Sequence, residues 1–351
     1  MDSTKPVITK ETKNKISVDY EGKLSFKERL IKKLTTSNTW IKALVNIFRF
    51  VLMLGVSYVI LFPFFSKLAG SFMSREDIVD ATVSLIPKHF TLDIYKYIII
   101  DNRYFEAFLN TLLLSLICAI IQTFVSCLIG YGLAKFKFKL NGFFMVLVII
   151  TMIIPHSTLE FVMYRRFTYF DIAHVMSTNQ PGILELIFGK PIELVNTFWP
   201  FVVLSIGGLA FKNGLYIYLM RQFFKGVPDE LEESAYVDGS NTFRTFLQII
   251  LPLSVPMLIT VFLFSFSWQW TDEFYSSIFF VGADETKMWT MSSITTNTPI
   301  HLKDSAFAAQ SLYDTVIRNT AGIMIIAPLV IMYLFCQKYL VQGIERSGLV
   351  G

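Results

Sequence analysis

Residues 228–252 read PDELEESAYVDGSNTFRTFLQIILP, a charged run set between two strongly apolar segments. The run predicts a helix, a turn and a second helix. Pro228 suits a first helical turn, where a missing N–H is no loss. Asp229, Glu230, Glu232 and Glu233 crowd the early turns, where the helix dipole favours anions. Gly239 stands where a C-terminal cap belongs, and Ser240 or Asn241 can cap the next helix. A polar helical hairpin of this kind cannot lie in lipid. It is expected on one side of a membrane, open to a docking partner.

Composition supports a membrane setting. The 351 residues are 53% hydrophobic, with a mean hydropathy of +0.53. Apolar runs of about twenty residues recur, the length that crosses a bilayer's hydrocarbon core. The runs are continuous rather than alternating, so the expected class is an all-α polytopic membrane protein, not a barrel. Cys118, Cys127 and Cys336 all lie inside apolar runs and imply neither a disulfide framework nor a metal site. The four histidines have no ligand spacing, and no phosphate-binding lysine loop is present. No metal, no cofactor, no catalytic residue and no ATPase site of the chain's own are expected. Nothing points to nucleic acid.

Six transmembrane helices are expected, over about 43–65, 108–133, 143–163, 196–220, 255–274 and 319–339. The polar, lysine-rich segment 1–42 precedes them, so no cleaved signal peptide is expected. Within it, Leu24, Phe26, Leu30, Ile31 and Leu34 could line one face of a helix on anionic lipid, while 1–22 reads equally as a disordered basic tail. Residues 164–196 read as an external insertion, 222–253 as the polar hairpin loop, and 341–351 as a C-terminal tail. Lys135, Lys137 and Lys139 form a short basic turn. With both termini inside, this turn and the hairpin fall inside together, as the placement of lysine and arginine requires.

Two groups of residues stand out, one interrupting a span and one at a span's end. Lys212, with Asn213, lies in the fourth. An intramembrane charge is a candidate for a cavity or partner site; alternatively this lysine sits near enough to the inner end to snorkel. Trp268, Trp270 and Asp272 lie in WQWTDEF at the end of the fifth. Aromatic faces with planar polar groups suit a sugar, but tryptophan also marks an outer interface, with Asp272 then at the boundary. Lys212, Asn213, Trp268, Trp270 and Asp272 are the candidates for a substrate path.

The order Glu233-Ser234-Ala235, three residues, Gly239, nine residues, Ile249-Ile250-Leu251-Pro252 resembles the coupling loop of ATP-binding-cassette (ABC) importer permeases, with Ser234 in place of the usual alanine. Asn110-Thr111, the turn Tyr131-Gly132-Leu133-Ala134-Lys135-Phe136 and the glycine-bearing tail from Gln342 resemble the carbohydrate-uptake members, similar to the smaller maltose permease subunit. The resemblance implies the ABC importer type I permease fold. It also implies a second permease subunit, two cytoplasmic ATP-binding subunits, an external solute-binding protein and a carbohydrate substrate, an oligosaccharide or modified sugar. The setting implied is a bacterial plasma membrane and its lipid. The resemblance assigns the ATPase-coupling role to Leu231, Glu232, Glu233, Ala235, Asp238 and Gly239. Glu233 would pair with an arginine of the ATPase, Ala235 would allow close approach, Gly239 the turn, and Leu231 would extend the docking face. A non-sugar solute, or a channel with no ATPase, are the alternatives.

Overall fold

The computed structural model describes residues 8–11, 17–20, 37–172, 182–281 and 288–348. The lipid-facing helix expected within 24–34 lies outside the described residues, as does the middle of the 164–196 insertion. The chain divides into two units, Met1–Ser66 and Lys67–Gly351.

The first unit departs from the all-α expectation. Strand β1 (Ile8–Glu11) pairs antiparallel with β2 (Ser17–Tyr20), placing Ile8 opposite Tyr20 and Glu11 opposite Ser17. The β-branched and aromatic residues Ile8, Thr9, Val18 and Tyr20 favour this pairing where a disordered tail was an open reading. Helix α1 (Ser37–Gly70) starts in this unit.

The second unit is helical. Its helices are α2 (Arg75–Val79), α3 (Asp93–Asp101), α4 (Tyr104–Lys135), α5 (Asn141–Ile153), α6 (Glu160–Thr168), α7 (Ile183–Phe188) and α8 (Trp199–Ile206). They are followed by α9 (Asn213–Lys225), α10 (Glu230–Val237), α11 (Thr242–Thr245), α12 (Leu251–Trp270), α13 (Phe274–Phe279), α14 (Met291–Thr296) and α15 (Gln310–Gly348).

Among the described residues four helices are long and apolar enough to cross a membrane: Leu44–Gly70, Tyr104–Lys135, Thr242–Trp270 and Gln310–Tyr339. The expected third span is broken. Asn141–Ile153 and His156–Thr168 meet at 92°, and counting them as one span gives five. Ile154 and Pro155 are both extended at the break, as the steric demand of proline on the residue before it requires. The expected fourth span, 196–220, is not one helix. It is α8 and α9, separated by residues 207–212. Gly208 has φ +68° and Lys212 φ 65°, a left-handed conformation that no helix continues through. The fifth span ends at Trp270, short of the expected Phe274, because Asp272 caps a new helix there. The expected tail from 341 is helical as far as Gly348.

Helix α4 is the axis of this unit and packs on α8, α9 and α12. Gly130 makes the crossing with α9 possible: a Cβ there would lie 2.6 Å from Met220 Cβ and 2.9 Å from the Arg221 nitrogen. Small residues at such crossings let backbones approach closely. Deeper in the bundle Gln122 joins three helices. Its Nε2 donates to Ser205 Oγ at 3.1 Å, and its Oε1 accepts from Ser265 Oγ at 2.6 Å. All three are fully buried, so the polar groups satisfy one another where water cannot.

Candidate functional site

The hairpin begins at Pro228 and turns at Gly239. The Gly239 N–H donates to the Tyr236 carbonyl at 3.0 Å and the Ser240 N–H to the Ala235 carbonyl at 2.9 Å, with Gly239 at φ +81°. This pair of bonds closes a helix end on a left-handed residue, the conformation glycine adopts at least cost. Asn241 Oδ1 then accepts the Arg244 N–H at 2.8 Å and caps α11. The second limb is not a separate helix, because α11 runs through a wide turn at Phe246–Ile250 straight into α12. There the Leu251 N–H bonds the Phe246 carbonyl five residues back. Pro252 follows, with no N–H to give and a ring that crowds the preceding turn, and the extra residue in the turn relieves that crowding.

The acidic helix α10 has an inner and an outer side. Glu232 and Ala235, three residues apart, are buried. Glu233, Ser234, Tyr236, Val237 and Asp238 are exposed. Val237 is 87% exposed and Phe243, on the other limb, 69%. Exposed large apolar side chains on an otherwise charged hairpin are what a docking surface offers. Glu233 lies on this outer side and has no ion-pair partner among the described residues. Leu231 is 38% exposed. Ala235, expected to admit a partner, instead packs inward, and Glu232 is likewise turned toward the chain's own bundle, because a helix advances about 100° per residue.

What holds α10 is Lys135, the last residue of α4, whose side chain is only 6% exposed. Its Nζ donates to the Val227 carbonyl and to Asp229 Oδ1, both at 2.6 Å, and lies 3.8 Å from Glu232 Oε1. Tyr131, one turn earlier on α4, is near Glu232 as well. Lys135 holds the Asp229 carboxyl below its usual range. Burial pushes Glu232 up, against the pull of the same ammonium. The sequence placed Lys135 in a basic turn but gave no local sign of partners 92 to 97 residues away. Replacing it should loosen the hairpin. Lys135→Met is expected to speed amide exchange over residues 229–238 by about tenfold, while Lys135→Arg stays near wild type. Hydrogen exchange with mass spectrometry reads the difference.

The substrate-path candidates fall into two groups. Lys212 and Trp268, 56 residues apart, are brought together. Lys212 Nζ lies 4.8 Å from the Phe211 ring centroid and 5.0 Å from that of Trp268. Phe211 also meets His156, whose Nδ1 is 2.7 Å from the Tyr275 hydroxyl. Lys212 is the residue before α9, and the 13 residues of α9 place it about 20 Å along the axis from the hairpin. A lysine side chain is shorter than that distance. Asn213 is fully buried, and neither of its amide atoms meets a partner among the described residues. Trp270 and Asp272 belong to the framework instead. Trp270 is buried, with its Nε1 donating to the Ile325 carbonyl at 3.0 Å. Asp272 caps α13, accepting from the Tyr275 and Ser276 N–H groups at 3.2 and 3.0 Å.

Comparison with known proteins agrees with this architecture. Residues 122–346 match the family described as binding-protein-dependent transport system inner membrane component. The chain is 27% identical over 310 residues to the probable ABC transporter permease protein YurM of Bacillus subtilis, covering 88% of each. It is 28% identical over 305 residues to the arabinooligosaccharides transport system permease protein AraQ of Bacillus subtilis, covering 86% of this chain and 94% of that one. Among solved structures it resembles a bacterial ABC transporter involved in importing the acidic polysaccharide alginate. The TM-score is 0.62 at 20% identity, over 87% of this chain and 98% of that chain, a likeness of fold. The family match spans well over half of the chain, from the Gln122 clamp through the hairpin to the last helix, and the chain belongs to the binding-protein-dependent transport system inner membrane components.

Proposed function

We propose that this chain is the transmembrane permease subunit of an ATP-driven ABC importer that moves a carbohydrate, an oligosaccharide or modified sugar, across a bacterial plasma membrane. An external solute-binding protein delivers the cargo, and two cytoplasmic ATP-binding subunits drive the motion. A second permease subunit completes the pathway. In this reading the chain crosses the membrane six times with both termini cytoplasmic, the fourth crossing being made by α8 and α9 together.

The observation that carries the reading is the hairpin. It presents Glu233, Val237 and Phe243 outward, while Lys135 ties its inner side to the end of α4. A force applied to the outer side therefore reaches the bundle through a short, charge-assisted contact. ATP binding would move the hairpin, and the bundle would alternate between inward- and outward-open forms. ATP and the loaded binding protein both favour the outward form, and each shifts the balance only as far as its affinities for the two forms differ. The relatives' names and the Lys212–Trp268 pair favour a carbohydrate over other cargo.

The test is purification of the tagged chain from its own membranes in mild detergent. Stoichiometric ATP-binding subunits and a second permease are expected, with ATP-dependent oligosaccharide uptake after reconstitution. A transport-active chain free of any ATPase would overturn the reading.

A further inference from the structure

Where α4 and α9 end, on the side of the hairpin, the chain leaves a cleft lined by cations. We propose that this cleft and an apolar slot continuous with it hold an anionic phospholipid, its phosphate among the cations and an acyl chain in the slot. The proposal needs the membrane setting of the family and not the identity of the cargo.

The cleft, of about 440 Å³, lies where the apolar helix Tyr104–Lys135 ends and α5 begins, against the last turns of α9. Four cations line it, Lys137 and Lys139 from the turn and Arg221 and Lys225 from α9, and no carboxylate does. None of the four has an ion-pair partner among the described residues. Lys137 stands near Asp229, but Lys135 already holds that carboxylate at 2.6 Å. Arg221 Nε donates to the Leu133 carbonyl at 3.4 Å, and Asn141 Nδ2 donates to the same carbonyl at 3.1 Å. The guanidinium is thereby held at the cleft with its two terminal nitrogens unpaired among the described residues, a fork suited to a phosphate.

A second cleft, apolar and of about 230 Å³, continues from the first, and Leu133 lines both. Its wall includes Ile129, Phe144, Leu147, Val148 and Ile217, and the Thr151 hydroxyl there already donates to the Val148 carbonyl at 2.7 Å. Positions 214, 217, 221 and 225 share one face of α9. Gly214 packs there on α5, against Val148 and Thr151; Ile217 lines the slot; Arg221 and Lys225 line the cationic mouth. Over about three turns this face passes from apolar to charged, the order in which a phospholipid presents its chain and its phosphate at the end of a membrane span.

Charge and slot together select the occupant. Cations at the end of a span also serve topology and helix ends, but neither role needs an apolar slot opening beside them. An acidic protein surface matches the cations and has nothing to place in the slot. An acyl chain fills it, with little driving force of its own, because bilayer tails solvate a chain equally well. Preference therefore rests on the head group. A zwitterionic phospholipid brings its own cation to a site that already holds four, and an anionic one does not.

The test uses the whole complex that the tagged chain brings down in mild detergent. Native mass spectrometry follows its titration with phosphatidylglycerol or with phosphatidylcholine of identical chains. Wild type is expected to prefer phosphatidylglycerol. Arg221→Gln should weaken that binding about fivefold, and Arg221→Gln with Lys225→Gln about twenty-fivefold, since each cation near an anionic lipid adds a factor of this size. Lys303→Gln, which removes a cation outside the cleft, should leave binding unchanged. Leu147→Trp, which fills the slot and keeps every cation, should weaken it. Glycerophosphoglycerol, the same head group without chains, should not displace the lipid. Equal binding of both lipids, binding unchanged in the double variant or in Leu147→Trp, or displacement by the chainless head group overturns the proposal. So does loss of bound protein subunits from the double variant with lipid binding intact, which would give the cleft to an acidic protein surface. If the α9 variants do not reach the membrane, Lys137→Gln with Lys139→Gln, at two exposed positions, decides in their place.

Discussion

Glu233→Lys is expected to abolish sugar-stimulated ATP hydrolysis and to lower uptake by about a hundredfold or more, with the chain still in the membrane at its normal level. Two facts separate these effects. Glu233 is exposed and has no ion-pair partner among the described residues, so its replacement should change the stability of the chain by no more than about 0.5 kcal/mol. In the assembled importer the same carboxylate would be desolvated against an ATPase, where losing one partner of a charge pair costs about 2–5 kcal/mol. Lysine would do more than remove the attraction, because on the proposed reading it would set two cations face to face. Uptake in proteoliposomes and ATPase assays of the purified complex measure both effects. An acidic substitution at the facing ATPase arginine should restore part of the activity. Wild-type uptake and ATPase stimulation in Glu233→Lys would remove the coupling role from this residue.

The second large effect is on assembly of the bundle. Gly130→Val should leave little of the chain in the membrane fraction, because even a Cβ at this position meets Met220 Cβ at 2.6 Å and the Arg221 nitrogen at 2.9 Å. The Arg221 nitrogen belongs to backbone and cannot rotate away. Separation of α4 from α9 is the only relief, at about 3 kcal/mol or more for overpacking of this kind. Gly142, at the start of α5, has nothing within 4 Å of its would-be Cβ, so Gly142→Ala should accumulate normally and serve as the control. Quantitative immunoblotting and the thermal midpoint of the detergent-solubilised protein report the outcome.

The hairpin was the most legible part of the sequence, and the reason is physical. A charged run between apolar runs can only fold at a surface. A glycine four residues before the next aromatic limb can only be a turn, and Gly239 takes the left-handed conformation that the turn requires. The long spans were legible because twenty apolar residues have few other fates. The broken fourth span was not. Averaged hydropathy hides the breakers Gly207-Gly208 and Lys212-Asn213-Gly214, and the break itself is made by the left-handed backbone angles at Gly208 and Lys212. Trp268 and Trp270 illustrate a signal that was available. Residues two apart on a helix point about 200° away from each other, so a half-exposed Trp268 and a buried Trp270 could not have lined one path. The same spacing argument parts Glu232 from Glu233. Lys135 had no such signal, since its partners are distant in the chain and only the packing of α4 against α9 brings them together.

Helix α9 carries one further consequence. It is an uninterrupted rod with Lys212 at its first end and the entry to the hairpin at its last. A lever about 20 Å long that tilts by about 10° moves its tip by roughly 3 Å. On the permease reading proposed above, the Lys212 end and the hairpin end of this one rod would move together, with no separate linkage between them.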